Sequence, residues 1–225
     1  MEMSPTKLLD RVIDFAFMEA NPTAEISAHK VMKENIKLGN IETVIEDLEL
    51  LLDKYYGNNL IIDWQPSMTA DDYEKKIDQI EDLYGPVDCL VVGGLGMMSD
   101  HEGETKSVNE HTKKLKHLAN EKDIFIPIIV HCSKGGERTT RDVSKYARGS
   151  EKIKDNVDFY MMFSQIEDPN GDINKDVGWI QFVNKRGSGN TIDQIYEFNK
   201  NKLFLEDSDL DPSQFEIQTE DNKKY

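Results

Sequence analysis

Two continuous apolar segments on either side of a long helical segment limit the folds that this chain can adopt. Residues 87–92 read VDCLVV and residues 124–131 read IFIPIIVH, without the alternation of a half-exposed strand. Such segments are typical of parallel strands that are covered on both faces. Between them, KSVNEHTKKLKHLANEK predicts a long helix, so the three segments predict a parallel strand–helix–strand unit. Pro127 is unusual in a central strand and predicts a bulge or an edge.

Further helices and strands extend this unit. Helices are predicted over residues 5–18, in NIETVIEDLELLLDKYY, and in SMTADDYEKKIDQIEDLYG, which begins with Ser/Thr cap candidates and ends at Gly85. Strands are predicted for NLIID at 59–63, for VDFYMMFSQ and for VGWIQFVNK, with a hairpin connection between the last two at 167–176. The predicted fold class is therefore α/β, with a mainly parallel central sheet flanked by helices.

The charge of the chain restricts its partners. A net charge of −16 argues against nonspecific nucleic-acid binding over the whole surface. One short stretch is nevertheless basic, and it is either a solvated loop and helix face or a polyanion contact. This stretch contains Lys134, Arg138, Arg141, Lys145, Arg148, Lys152 and Lys154. The sequence shows no signal pattern, no apolar run of membrane-spanning length and no metal-binding cysteine spacing, which favours a cytoplasmic location.

The segment HCSKGGERTT contains His131, Cys132 and, after five further residues, Arg138. This spacing resembles the loop of cysteine-dependent phosphatases, in which a thiolate attacks a phosphoryl group held by N–H groups and an arginine. Glu137 lies inside that loop, where its carboxylate would repel the phosphate. The following TTRDVSKYARGS is a poor core helix, and the general acid that the reaction needs has no clear counterpart. A phosphatase is therefore the weaker alternative.

Five segments carry a resemblance that covers most of the chain. They are, in order, MEMSPTKLLDR, VDCLVVGGLGMM, the long helix with IFIPIIVH, GGERTTRDVSKYARGS and WIQFVNKRGSGNT. In this order they resemble the C-terminal motor domain of DnaB-type hexameric replicative helicases, including the phage primase-helicases. The resemblance implies a RecA-like domain over residues 1–205, incomplete at its N-terminal side. The acidic residues 206–225 are expected to form a flexible tail.

The resemblance assigns three residues to the catalytic machinery. Glu2 would polarise the water that attacks the γ-phosphate, His131 would sense that phosphate, and Arg186 would reach as a finger into the neighbouring subunit's nucleotide. Lys185 and Gly189 belong to the nucleotide-binding set beside this finger. ATP and Mg²⁺ are the implied cofactors of the complete complex. The family's Walker B aspartate, which holds Mg²⁺ through water, corresponds to Gly93 here, so metal-assisted hydrolysis should be impaired.

The resemblance also assigns the basic stretch to single-stranded DNA. In the family this loop faces the channel of a ring and holds DNA phosphates without sequence preference. The implied DNA-binding residues are Lys134, Arg138, Arg141, Lys145, Arg148, Gly149 and Ser150. Single-stranded DNA and a ring-forming homo- or hetero-oligomer are therefore the expected partners, in a bacterial or phage-infected cell.

A phosphate-binding loop of the pattern G-x-x-x-x-G-K-[ST] does not occur in the sequence. In the family that loop precedes the segment matched by MEMSP, so an upstream chain carrying Walker A is an expected partner. Such a split helicase would translocate on single-stranded DNA and unwind duplexes only when completed. The alternatives are a catalytically inactive helicase-like protein that binds DNA or a helicase, or a truncated remnant.

Overall fold

The computed structural model of the protein describes residues 4–57, 59–63, 65, 68–94, 104–130, 153–167, 173–184, 191–199 and 204–210. The chain falls into two compact units, Met1–Trp64 with Glu197–Asp207 and Gln65–Tyr196 with Ser208–Tyr225. None of the described helices is long and apolar enough to cross a membrane.

Three helices form most of the described first unit: α1 Pro5–Ala20, α2 Ala28–Lys37 and α3 Ile41–Tyr55. The predictions of α1 and α3 are confirmed. At the start of α1, the Ser4 hydroxyl oxygen accepts the N–H of Lys7 at 3.4 Å, and a proline in the first turn needs no N–H partner. The sequence did not indicate α2, a ten-residue helix in which Ala28 alone is buried.

Long-range hydrogen bonds connect the three helices. The buried Asp14 carboxylate of α1 accepts the N–H of His29 at 3.1 Å. It thereby satisfies a first-turn donor of α2, whose own N-cap residue Ser27 makes no side-chain cap bond. The Tyr56 hydroxyl, directly after α3, donates to the Val12 carbonyl at 3.2 Å. Tertiary contacts therefore specify α2 more than its local sequence does.

The prediction of a strand at 59–63 is wrong, because these residues form neither helix nor strand. The N–H of Asn59 donates to the Tyr56 carbonyl at 2.8 Å, so the backbone is still in the turn that follows α3. Leu60 and Ile61 are 40% and 43% exposed. Three apolar residues are a strand signal only where a partner strand supplies the hydrogen bonds, and sequence does not show that partner.

The second unit contains the helices α4 Ala70–Tyr84, α5 Glu104–Lys122 and α6 Ile153–Asn156. The predicted cap of α4 is confirmed: the Thr69 N–H donates to an Asp72 carboxylate oxygen at 2.9 Å, and the Asp72 N–H donates to the Thr69 hydroxyl at 3.3 Å. The helix ends at Gly85, whose φ of 98° favours glycine. Each end of α4 is thus fixed by the residue types that predicted it.

Two extended segments, 88–92 and 125–129, lie side by side in parallel, and we call them the parallel pair. One face of the pair lies against α4 and α5 in the main core, where Val92, Ile77 and Leu115 are almost fully buried. Lys114 reaches Asp71 at 2.7 Å, and Lys122 reaches Asp78 and Glu81 at 2.5 and 3.0 Å, so ion pairs join the two helices at their rim. The two apolar segments flank α5 and are bridged in parallel, as predicted, but they form isolated bridges and not regular strands.

A four-stranded sheet follows in the order β1–β2–β3–β4. Its strands are β1 Phe159–Glu167, β2 Ile173–Asn184, β3 Thr191–Asn199 and β4 Phe204–Asp207. The first two are antiparallel, with an irregularity between Gln165 and Ile166, which confirms the predicted hairpin. The observed β structure is therefore mixed, with a parallel pair and an antiparallel hairpin. Strand β4 includes residues 206 and 207, which were expected to belong to the flexible tail. Residues 211–225 of that tail lie outside the described part.

Candidate functional site

The carboxyl ends of the parallel pair form the candidate site. Cys89 is bridged to Phe125 and Val92 to Ile128. The N–H groups of Leu90 and Val92 donate to the carbonyls of Phe125 and Pro127, both at 2.9 Å. Both segments therefore end at the same edge, which is where ligands bind in parallel α/β sheets.

Pro127 interrupts the ladder at one position. In the parallel pattern, Phe125 donates to the Asp88 carbonyl and Ile129 to the Val92 carbonyl, each at 2.9 Å. The residue between them would donate to the carbonyl of Leu90, but a proline has no N–H. The predicted bulge or edge is thus replaced by a paired segment that lacks one hydrogen bond.

Two positions that the resemblance singles out, the Walker B position Gly93 and the predicted sensor position 131, follow this edge directly in the sequence. Gly93 succeeds Val92, and position 131 succeeds Val130. Because the Ile129 N–H bonds the Val92 carbonyl, the chain leaves both segments at neighbouring points of one edge. His131 itself lies outside the described residues.

Gly93 is not crowded by the residues that the structure describes. A Cβ atom built at this position meets no atom of the described residues within 4 Å, and Gly93 is not among the described glycines with positive φ. Neither crowding nor backbone strain therefore requires a glycine there. The described residues would therefore admit an aspartate at position 93, so crowding by them does not explain the glycine.

The remaining predicted residues lie outside the described part of the chain. These are the catalytic residues Glu2 and Arg186, the nucleotide-binding Lys185 and Gly189, and the DNA-binding Lys134, Arg138, Arg141, Lys145, Arg148, Gly149 and Ser150. Asn184 is the last residue of β2, so Lys185 and Arg186 follow a strand end in sequence. Their assigned roles stay predictions.

The described residues do not fit a magnesium site. Within the described ranges, no three His, Cys, Asp or Glu side chains are grouped so that they could hold a metal ion. Gly93 contributes no carboxylate. A divalent cation at this edge would therefore need ligands from residues beyond these ranges or from another chain.

The thiol of Cys89 does not substitute for Cys132 as a nucleophile. Partial burial, followed by the negative charge of Asp88, raises the pKa of the Cys89 thiol. A raised pKa keeps the sulfur protonated, whereas nucleophilic cysteines need a lowered one. Cys132, on which the phosphatase alternative depends, lies outside the described residues.

Sequence reasoning placed both faces of the parallel pair under helices, but the two faces differ. On the face opposite α4 and α5, large apolar side chains are 39–61% exposed. These are Val91, Phe125, Ile129, Phe159, Met161 and Phe163, and we call them the open face. Phe125 and Phe159 stack at 5.8 Å between ring centroids, which makes the open face continuous from the parallel pair to β1. The even apolar composition of the strands gave no signal of this asymmetry.

Comparison with known proteins supports the same fold. Residues 1–206 match the family model described as the DnaB-like helicase C-terminal domain. The chain is similar to a solved structure described as an ATPase domain, with 14% identity, a TM-score of 0.65, and coverage of 92% of this chain and 72% of that one.

It is also similar to a DnaB-like replicative helicase whose structure was described with its interactions with primase. Here the identity is 14%, the TM-score is 0.55, and the match covers 72% of this chain and 41% of that one. Among curated protein sequences, none matches the chain. The family match spans nearly the whole described fold, including the parallel pair whose ends form the candidate site. The chain belongs to the DnaB-like helicase C-terminal domain family.

Proposed function

We propose that this chain is part of the motor of a replicative DNA helicase, which couples ATP hydrolysis to translocation on single-stranded DNA and to duplex unwinding. The observation that carries the proposal is the shared edge of the parallel pair, where Gly93 and position 131 follow adjacent strand ends in a chain of this family. A nucleotide phosphate at that edge would lie within reach of both positions.

The chain's own residues would act on the nucleotide in three ways. Glu2 would polarise the attacking water, and His131 would sense the γ-phosphate. Arg186 would place its guanidinium against charge that develops at the nucleotide of a neighbouring subunit. ATP is the proposed cofactor together with Mg²⁺, which neutralises phosphate charge when bound. Since the described residues do not fit Mg²⁺, its ligands are assigned to other parts of the complex.

DNA would bind the basic stretch between Lys134 and Ser150. Its arginine and lysine side chains, together with backbone N–H groups, would contact phosphates and leave the bases unread. With a net charge of −16, the rest of the surface would repel the strand, so binding would be confined to this stretch. A ring of subunits in a bacterial or phage-infected cytoplasm would direct these stretches to one channel.

The phosphate-binding loop would come from a partner chain. The sequence holds no such loop, while the edge that would face it is formed by the parallel pair. A second candidate function is a helicase-like protein that binds DNA or a helicase without hydrolysing ATP. The glycine at position 93, where the described residues would admit an aspartate, favours this second candidate.

The deciding experiment measures ATP hydrolysis with single-stranded DNA present. The chain is assayed alone and then mixed with the product of the reading frame immediately upstream. Hydrolysis in the mixture alone establishes a split helicase. Binding of DNA or of a helicase without hydrolysis in either sample establishes the second candidate and removes the enzymatic function.

Restoring the missing carboxylate tests the role of Gly93. In the mixture, Gly93→Asp should raise Mg²⁺-dependent ATP hydrolysis by about tenfold or more, since metal-assisted charge stabilisation contributes several kcal/mol. Gly93→Asn is the matched control, since it adds the same volume without the charge. Equal rates for both variants would show that position 93 is not a metal-side position.

A further inference from the structure

Helix α5 makes ion pairs on two sides, and the two pairs differ in their exposure to solvent. Towards α4, Lys114 pairs with Asp71 at 2.7 Å, and these side chains are 54% and 59% exposed. On another side, the Lys116 ammonium pairs with the Asp158 carboxylate, and these side chains are 19% and 40% exposed. Two charges attract each other more strongly where less water surrounds them, so the second pair constrains its residues more than the first.

A second contact joins the same two parts of the chain. The side-chain amide of Asn156, the last residue of α6, donates to the side-chain oxygen of Asn109 in α5 at 2.9 Å. Asn109 and Lys116 are separated by about two turns of α5, so they lie along one side of that helix. We call the two contacts, Asn109–Asn156 and Lys116–Asp158, the α6 clamp.

The α6 clamp holds the part of the chain that directly follows the basic stretch between Lys134 and Ser150. Helix α6 begins at Ile153, which is buried in the main core. Before the stretch, Val130 packs against the same core. The chain therefore enters the basic stretch from the main core and returns to that core after it.

The chain is also fixed downstream of the α6 clamp. Asp158 directly precedes β1, where Phe159 pairs with Asn184 of β2 and stacks on Phe125. Helix α6 has four residues, which is too short for a helix to persist without tertiary contacts. The clamp thus connects a helix that needs support to a paired strand on one side and to α5 on the other.

We propose that the α6 clamp positions the basic stretch for single-stranded DNA. Its four residues act through the stretch and do not themselves contact DNA, so they are positioning residues. The inference rests on the DNA-binding part of the proposed function. By fixing the point where the chain returns to the core, the clamp restricts the stretch before DNA arrives. A segment that is restricted before binding loses less conformational entropy on binding, which raises its affinity.

Asp158→Asn gives the sharpest test, because the two explanations predict opposite signs. The chain carries a net charge of −16, so removing one negative charge should strengthen DNA binding if the clamp has no role. If the clamp positions the stretch, the affinity of the full chain for fluorescein-labelled oligothymidine should fall by about two- to tenfold. That factor corresponds to the loss of one hydrogen bond. Asp71→Asn is the matched control, since it breaks the exposed ion pair of the same helix and should not weaken binding.

The salt dependence of binding separates positioning from direct contact. For single-stranded DNA, each phosphate contact contributes about 0.7 to the slope of log affinity against log salt concentration. Lys116→Met should weaken binding and leave this slope unchanged, whereas Arg148→Ala should lower the slope by about that amount. Asn109→Ala changes no charge and suits a helix, and it should also weaken binding at constant slope. It replaces Asp158→Asn as the deciding variant if the latter alters the circular dichroism spectrum.

Two results would overturn the positioning role. One is wild-type or higher affinity in both Asp158→Asn and Asn109→Ala. The other is a lower slope in Lys116→Met, which would make Lys116 a phosphate contact.

Failure of the proposed function gives different patterns. If Arg148→Ala leaves both affinity and slope unchanged, DNA does not bind the basic stretch, and the positioning role is removed with it. If the clamp variants weaken DNA binding while ATP is hydrolysed in no sample, the motor function is removed and the positioning role is kept. Hydrolysis stimulated by DNA, with clamp variants that bind as the wild type does, keeps the function and removes the positioning role.

Discussion

The two faces of the parallel pair have nearly the same composition and opposite surroundings. Val92 is completely buried under α4 and α5, while Val91 is 61% exposed on the open face. Successive residues of a strand point to opposite faces, so one step along the chain separates the core from the surface. The apolar composition of a strand shows that both of its faces can be buried. Whether each face is buried depends on whether a helix packs against it.

Truncation on the two faces should give the largest difference. Ile77→Ala on the covered face should lower the free energy of unfolding by about 2–5 kcal/mol, because it leaves a cavity beside residues that cannot collapse. Met161→Ala on the open face should change it by about 0.5 kcal/mol or less, as an exposed substitution does. Urea denaturation of the chain alone measures both. Equal losses would mean that the open face is already covered in the free chain.

One part of the sheet is packed closely on the side of the open face. A Cβ atom at Gly178 of β2 would come within 2.5 Å of the Tyr196 hydroxyl and of the Ser164 carbonyl oxygen. The ring of Tyr196 also meets Phe163 edge-on at 6.2 Å between centroids. Tyr196 therefore shields Gly178 and part of the Phe163 ring from solvent. Burial raises the pKa of the Tyr196 hydroxyl.

Gly178→Ala should therefore destabilise the chain by about 1–3 kcal/mol, the range for overpacking a filled site. Gly93→Ala is the control, since no described atom lies within 4 Å of a Cβ there, and its effect on the free energy of unfolding should stay within about 0.5 kcal/mol. Thermal or urea unfolding distinguishes the two. If Gly178→Ala left the free energy of unfolding unchanged, the Tyr196 side chain would be free to move away and would not pack tightly against β2.

Removal of the α4 cap should give the smallest change in the free energy of unfolding. It tests how much the cap stabilises the helix that packs on the buried face of the parallel pair. Thr69→Ala removes a hydroxyl that accepts the Asp72 N–H, which should cost about 1 kcal/mol of unfolding free energy. Thr69→Ser, which keeps the hydroxyl, is the matched control. A loss of helical signal at low urea without a change in midpoint would contradict this assignment.

The same cap has a pH dependence of defined sign. The hydrogen bond from the Thr69 backbone, followed by that of its side chain, lowers the pKa of Asp72. Ionised Asp72 therefore stabilises the fold above the ordinary carboxyl pKa of 3.8, and this contribution disappears as pH falls from there through the lowered value. The stability advantage of the wild type over Asp72→Asn should shrink in that window. A difference that stays constant as pH falls from neutrality through that window would exclude the linkage.

Local signals in the sequence predicted the elements that have local causes. Thr69 and Gly85 fixed α4 because capping acts within a few residues, and residues 167–176 indicated the β1–β2 hairpin for the same reason. The parallel pair was also foreseen, since its apolar segments flank a long helix. The cap and the hairpin depend on neighbours in the chain, whereas the parallel pair was indicated by its composition and by the helix between its segments.

Features that depend on distant partners were missed. Residues 59–63 were expected to be a strand but continue a turn at Asn59. Helix α2 was not foreseen, because its start is satisfied by Asp14 of another helix. For the candidate site, the order of anchors indicated the family and the edge of the parallel pair. The open face could not be predicted, because a strand with one exposed face and a strand buried on both faces can have the same amino-acid composition.

Pro127 has a consequence for the chain before its faces are covered. Residues 124–130 form a strongly apolar segment with high strand propensity, which is the composition of aggregation-prone sequences. In a stack of identical strands every residue must donate to a neighbour, and a proline breaks that ladder at its centre. The hydrogen bond that the native pair lacks at Leu90 is thus also lacking in any such stack. We therefore expect Pro127 to lower the tendency of this segment to self-assemble, at the loss of one hydrogen bond in the native pair.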